Sequence, residues 1–244
     1  MLSNTIKRNL FILPLTALFI SNVAFAHDVM KSVALEGHTD DNAIKINHGC
    51  EESGKPIIAQ SVVFPGQDAV LTTSDRRTIA SLADVIEGGI FPINLIQDKN
   101  IFAVQKQKYD ALNNVSGFYG KTGALDVALK GRLPFEFTAP SFVSTSCVKT
   151  VFLQVAVADI CVLTRPTIDA NKVNLWIPDN GSQYAKSGQA AGVDGVGEPV
   201  TLRVNRNLAA NKLPTTCGKG IELTVTPSAA DIDAHLGIPG YWSK

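Results

Sequence analysis

Cysteine is scarce in this chain of 244 residues, four in all, and no two of the four stand in a CxxC spacing. A thiolate zinc site therefore lacks its usual ligand arrangement. No GxSxG, HExxH or phosphate-binding P-loop occurs, so hydrolase and nucleotide chemistry have no residues to stand on. Neither sign of charge is in excess, with 22 Lys and Arg against 22 Asp and Glu. A near-neutral chain has no electrostatic claim on nucleic acid or on anionic membranes. Internal repeats and low-complexity tracts are absent too, which removes solenoids and arrays from consideration.

What is present begins at the N-terminus. Lys7 and Arg8 precede the apolar run 10–20, no acidic residue occurs before Asp28, and Ala24-Phe25-Ala26 closes the segment. This is the pattern of a secretory signal peptide over residues 1–26, cut after Ala26. The apolar run is shorter than the roughly 20 residues that a spanning helix needs, so no stable membrane insertion is expected. The mature chain then starts at His27, holds two more acidic than basic residues and is destined for the periplasm or the exterior. In that oxidising setting Cys50, Cys147, Cys161 and Cys217 are expected to form two disulfides, with three pairings open.

The mature chain reads as short strands separated by turn residues, at 43–47, 57–64, 101–105, 124–130, 148–160, 172–177, 200–205 and 221–226. Val151, Leu153, Val155 and Val157 recur at period two in one of them, and Val200, Leu202 and Val204 in another, which marks strands with a buried face. Strands so spaced favour an all-β fold, an antiparallel sandwich. Helix is expected only at residues 75–86, where Ile79, Leu82, Val85 and Ile86 form one stripe behind a Ser74 cap. The Gly-, Ala- and Ser-rich stretch 181–197 reads as a surface loop.

His27 is the residue with chemistry to offer. Histidine occurs only four times in the chain, and one copy stands directly behind the cut. A free N-terminal histidine presents an amine and an imidazole from one residue, a donor pair suited to Cu(II), which accepts tetragonal nitrogen and oxygen sites. The α-amine, with an ordinary pKa of about 8, gives up its proton to a metal near neutral pH. His38, His48 and His235, with the carboxylates of Glu36, Glu51 and Glu52, are the other donors the sequence offers.

Around His48 the stretch "KINHGCEESGKPIIAQSVVFP" resembles the His-Gly-Cys segment of the YcnI-like periplasmic copper-binding domain family, in which a strand enters His-Gly-Cys and a second strand ends in Pro. "LKGRLPFEFTAPSFVSTSC" is similar to that family's Gly-x-Leu-Pro turn and downstream cysteine, and Trp176 in "VNLWIP" resembles its tryptophan near the metal. The resemblance covers residues 27–177. It implies an immunoglobulin-like antiparallel β-sandwich, here with a short helical insertion and a C-terminal extension, 178–244, packed on the same domain. It further implies Cu(II) on His27, a carboxylate from Glu36 or Glu51, and Trp176 against the metal, with His48 close by. Because the family-like cysteine lies beyond the Leu-Pro turn, the resemblance favours the pairs Cys50 with Cys147 and Cys161 with Cys217.

The function implied is copper delivery, storage or sensing without catalysis, with the copper ion and a copper-handling membrane protein as partners. A metal-free structural sandwich is the alternative. A histidine-brace copper oxidase is a further one, but it needs a second converging histidine and a flat aromatic surface, which 11 Phe, 4 Tyr and 2 Trp scattered along the chain do not declare.

Overall fold

The computed structural model describes residues 27–31, 33–50, 53–163 and 168–242. The expected signal peptide and Glu51 lie outside the described residues. The strands in chain order are β1 (Val33–Leu35), β2 (Thr39–Ile46), β3 (Ile57–Val63), β4 (Val70–Thr73), β5 (Ile93–Leu95) and β6 (Phe102–Tyr109), then β7 (Val115–Leu125), β8 (Gly131–Thr138), β9 (Val148–Ile160), β10 (Val173–Trp176), β11 (Val200–Asn205) and β12 (Ile221–Thr226). Two short helices, α1 (Gln183–Ala190) and α2 (Ala229–His235), complete the set.

The strands form an all-β sandwich. A nine-stranded sheet is built on β9, and a three-stranded sheet in the order β2-β8-β5 faces it. The thirteen residues of β9 are long enough to serve two groups of neighbours. Its first half pairs with β11 and β12, and its second half with β3 and β10. Alternation along β9 sends Val151, Leu153, Val155 and Val157 into the core between the sheets, where Phe64, Phe118 and Phe135 meet with ring centroids 5.4–5.7 Å apart. Ala156, Ala158 and Ile160 point the other way and are covered by Tyr184 and Ala185 of α1, by Ile232 of α2 and by Trp242. The segment after Ile177 thus supplies β11, β12 and both helices, and with them the cover for the outer face of the large sheet.

Four expectations need correction. The disulfides join Cys50 to Cys161, with Cα atoms 6.0 Å apart, and Cys147 to Cys217, 5.2 Å apart. Cys147 and Cys161 stand at opposite ends of β9, about 46 Å of extended chain from each other. The antiparallel pairing of β3, with Ala59 against Ile160, carries Cys50 to the Cys161 end. The parallel pairing of β12, with Ile221 against Val148, carries Cys217 to the Cys147 end.

The helix expected at 75–86 is absent. Arg76 takes a positive φ of 63°, which reverses the chain and interrupts any helical run. Only a 3₁₀ turn at Leu82–Asp84 forms, and Ser81 rather than Ser74 caps it, through a capping box with Asp84. The loop expected at 181–197 contains α1, whose N-terminus is capped by Ser182 Oγ accepting from Ala185 N at 3.0 Å. The strand expected at 124–130 ends at Leu125, because Asp126 opens a turn that accepts from Ala128 N and Leu129 N.

Candidate metal centre

His27 lies at one end of the sandwich, held there by its own main chain. Its carbonyl accepts from Asn47 Nδ2, and two residues on, Val29 and Lys45 exchange backbone hydrogen bonds at 3.2 and 2.8 Å. This lays the N-terminal segment against the end of β2, next to the His48-Gly49-Cys50 turn. The imidazole of His27 sits 4.9 Å from the ring of Trp176, tilted by 45°, and His48 meets the same indole edge-on at 6.3 Å. His48 Nδ1 is bonded to the Gly49 carbonyl at 2.6 Å. The structure therefore brings His27, His48 and Trp176 to one place.

The carboxylate at His27 is Glu198. Its Oε2 contacts His27 Nε2, with the His27 side chain 32% and the Glu198 side chain 56% exposed. Glu198 arrives there because the chain after α1 runs beside β10, with Leu175 N bonded to Asp194 O at 3.0 Å and Gly197 N to Ile177 O at 2.8 Å. Gly195 makes that approach possible. Its φ is +85°, and a Cβ on it would lie 2.3 Å from Trp176 Cε3, so only glycine lets the strap pass over the indole. Nothing local in the sequence flags Glu198, which is 171 positions from His27.

Glu36 is engaged elsewhere. It is buried, and its carboxylate accepts from Phe142 N and Asn207 N, each at 2.7 Å, and from Asn211 Nδ2 at 2.6 Å, clamping the loop after β11. His38 is exposed beside β2, while His235 ends α2 on the helical side. Neither has a ring contact or ion pair with the His27 cluster.

Beneath Trp176 lies a buried polar group that sequence reading missed. Gln60 and Asp159 face each other across β3 and β9. Gln60 Nε2 donates at 2.8 Å both to Asp159 Oδ1 and to Asp28 Oδ2, while Trp176 Nε1 donates to Asp159 Oδ2 at 3.1 Å. Burial pushes both carboxyls up, and the Asp159 charge raises Asp28 further, the direction expected where two buried carboxyls stand close together. The network fixes the indole plane and anchors the residue directly after His27. A polar residue at an inward position of a period-two strand, Asp159 in "VAVADI", was the available signal.

Among the described residues no three His, Cys, Asp or Glu side chains converge as a metal-binding group. The carboxylate of Glu198 on Nε2 orients the ring, as carboxylates do for metal-ligating histidines, and an α-amine at residue 27 would, together with Nδ1, give two nitrogens of the kind that Cu(II) accepts. Among the described residues no helix is long and apolar enough to cross a membrane. In comparison with known proteins, the chain matches no protein-family model and no curated protein.

Proposed function

We propose that this chain is an exported copper-handling protein of the periplasm or cell exterior that holds Cu(II) at its mature N-terminal residue and passes it on without catalysis. His27 would hold the ion through its α-amine and Nδ1, the ring nitrogen within chelating reach of that amine, while Glu198 on Nε2 would fix the ring's orientation, and Trp176 would cover one side of it. The observation that carries the reading is the meeting of His27 with Glu198 beside the buried indole. A carboxylate from the far end of the chain holds Nε2 of the one residue able to chelate by itself, through its α-amine and Nδ1. Exchange is favoured by the site's position, because both side chains remain partly exposed. The two disulfides accord with export, since such bonds persist in oxidising compartments.

The test is a Cu(II) titration against a competing chelator on three forms at one pH: the protein beginning at His27, a form with one residue added ahead of it, and Glu198→Gln. Extension turns the amine into an amide, which does not coordinate without losing a proton, and should weaken binding by about two orders of magnitude or more. Glu198→Gln should cost about tenfold. Equal affinity in the native and extended forms would sink the reading, as would a secreted protein whose mass shows a different N-terminus.

A further inference from the structure

The outward face of the three-stranded sheet carries an unusual charge arrangement. In the register of β2 with β8, Lys45 stands directly opposite Arg132, and Asp41 directly opposite Glu136. Inward positions of the same strands, such as Ile44, Leu133 and Phe135, are in the core, so both charged pairs lie on the solvent side. Like charges placed opposite each other across strands are destabilising. No ion pair with a described residue engages Lys45, Arg132 or the neighbouring Lys130, whereas Lys31 is bridged to Asp40 at 3.2 Å. The fold thus keeps an unrelieved basic repulsion on this surface, whereas in the acidic pair Glu136 accepts from Asn94 Nδ2 at 3.3 Å.

That surface is concave. A trough of about 1020 Å³ has Ala43 and Pro134 on its floor, the segment bearing Lys31 on one side and residues 96–101 on the other. Asn47 lines its end and is the residue whose side chain donates to the His27 carbonyl. The basic pair lies toward that end and the acidic pair away from it. Lys45 and Asp41 are four residues apart on one strand, about 13 Å, which is also the span of four residues of an extended ligand.

We propose that this trough is a docking site for an extended acidic segment of another protein, bound with its carboxylates over Lys45 and Arg132 and with a basic residue about four positions away over Asp41. Such a ligand relieves the repulsion between Lys45 and Arg132 and also meets Asp41 with opposite charge, which a uniformly acidic or uniformly basic one cannot do. Charge complementarity of this kind steers encounter and sets register, and weakens with salt. Docking here places the partner beside residue 27, but the recognition itself needs no metal, so it is tested on metal-free protein, separately from the copper reading.

The experiment is fluorescence anisotropy of a labelled ten-residue peptide, with two Glu and one Lys separated by Gly and Ser, against the protein beginning at His27 at low and at physiological salt. Lys45→Glu and Arg132→Glu should each weaken binding at least tenfold. Lys45→Glu should also leave the melting temperature unchanged or raise it, since it turns a repulsion into a cross-strand pair. Lys219→Glu makes the same charge change near Cys217, away from the trough, and should leave binding unaltered. Equal weakening by Lys219→Glu would reduce the effect to net charge and overturn the proposal. Two further results would overturn it: capture by phosphatidylserine–phosphatidylcholine vesicles with no peptide binding, which would make the face a membrane contact, or self-association abolished by Lys45→Glu, which would make it a surface for a second copy.

Discussion

Removing each disulfide separately should cost similar stability but have unequal effects on copper. In the chain-entropy treatment, stabilisation grows with the logarithm of loop length, and sequence separations of 111 and 70 residues correspond to about 5 and about 4 kcal/mol respectively. Cys50→Ser with Cys161→Ser and Cys147→Ser with Cys217→Ser should therefore lower the urea midpoint to a similar degree. Position separates them. Cys50 follows His48 by two residues and Cys161 follows Asp159 by two, so the first bridge ties the histidine turn to the strand end that carries the acceptor of Trp176. The second lies at the opposite end of β9, where Ile221 pairs with Val148. Copper affinity, measured by chelator competition well below either unfolding transition, should fall about tenfold or more for the first double variant and stay unchanged for the second. If the Cys147–Cys217 variant loses copper affinity to the same extent, the site is not organised by the Cys50–Cys161 end and the positional argument fails.

Gly195→Ala should destabilise by about 2–4 kcal/mol, from a left-handed alanine and a methyl driven against the indole; an unchanged urea midpoint and tryptophan emission would show that the strap does not press on Trp176. Asp28 and Asp159 have raised carboxyl pKa values, so the folded state retains protons that the unfolded chain has released, and stability should fall as pH rises through the raised values, to about 6 for Asp159. Asp28→Asn should flatten that slope in urea midpoints taken between pH 4 and pH 7, and a slope as steep as in the parent would refute the raised Asp28 pKa. Lys108, whose ammonium sits between Ser61 and the His235 carbonyl, is pushed down to about 7 by burial. There the unfolded chain binds the extra proton, so stability should rise from about pH 7 toward the ordinary lysine range near 10.4, and Lys108→Met should remove the rise.

Several elements were legible from local pattern. The strands at 148–160, 200–205 and 221–226 match β9, β11 and β12 residue for residue, because one buried face imposes period two on the residues themselves. Other elements were hidden by residues whose reason is tertiary. β7 is missing from the expected strands except at its end, since Gly117, Gly120 and Gly123 punctuate it. Yet a Cβ at Gly120 or Gly123 would lie 2.5 Å from the Phe102 ring, so those glycines are space for a neighbour and not breaks. α1 is eight residues long and poor in large apolar side chains, and its helical state rests on a serine cap and on burial of Tyr184 and Ala185, neither visible as periodicity.

Alternation and turn chemistry between near neighbours suffice to mark the chain as a β-sandwich, and local reading also yields four cysteines for two bridges and a histidine directly behind a cleavage motif. Which cysteines pair, and which carboxylate meets His27, depends on contacts between distant segments. Cys50 finds Cys161 because β3 runs antiparallel to the far half of β9, and Cys217 finds Cys147 because β12 runs parallel to the near half. Glu198 replaces Glu36 at the histidine because a strap that can cross Trp176 at Gly195 delivers it there, while the Glu36 carboxylate is held by two backbone amides and an asparagine. Strand direction and register are set by the packing of the whole sandwich, and no window of sequence contains them.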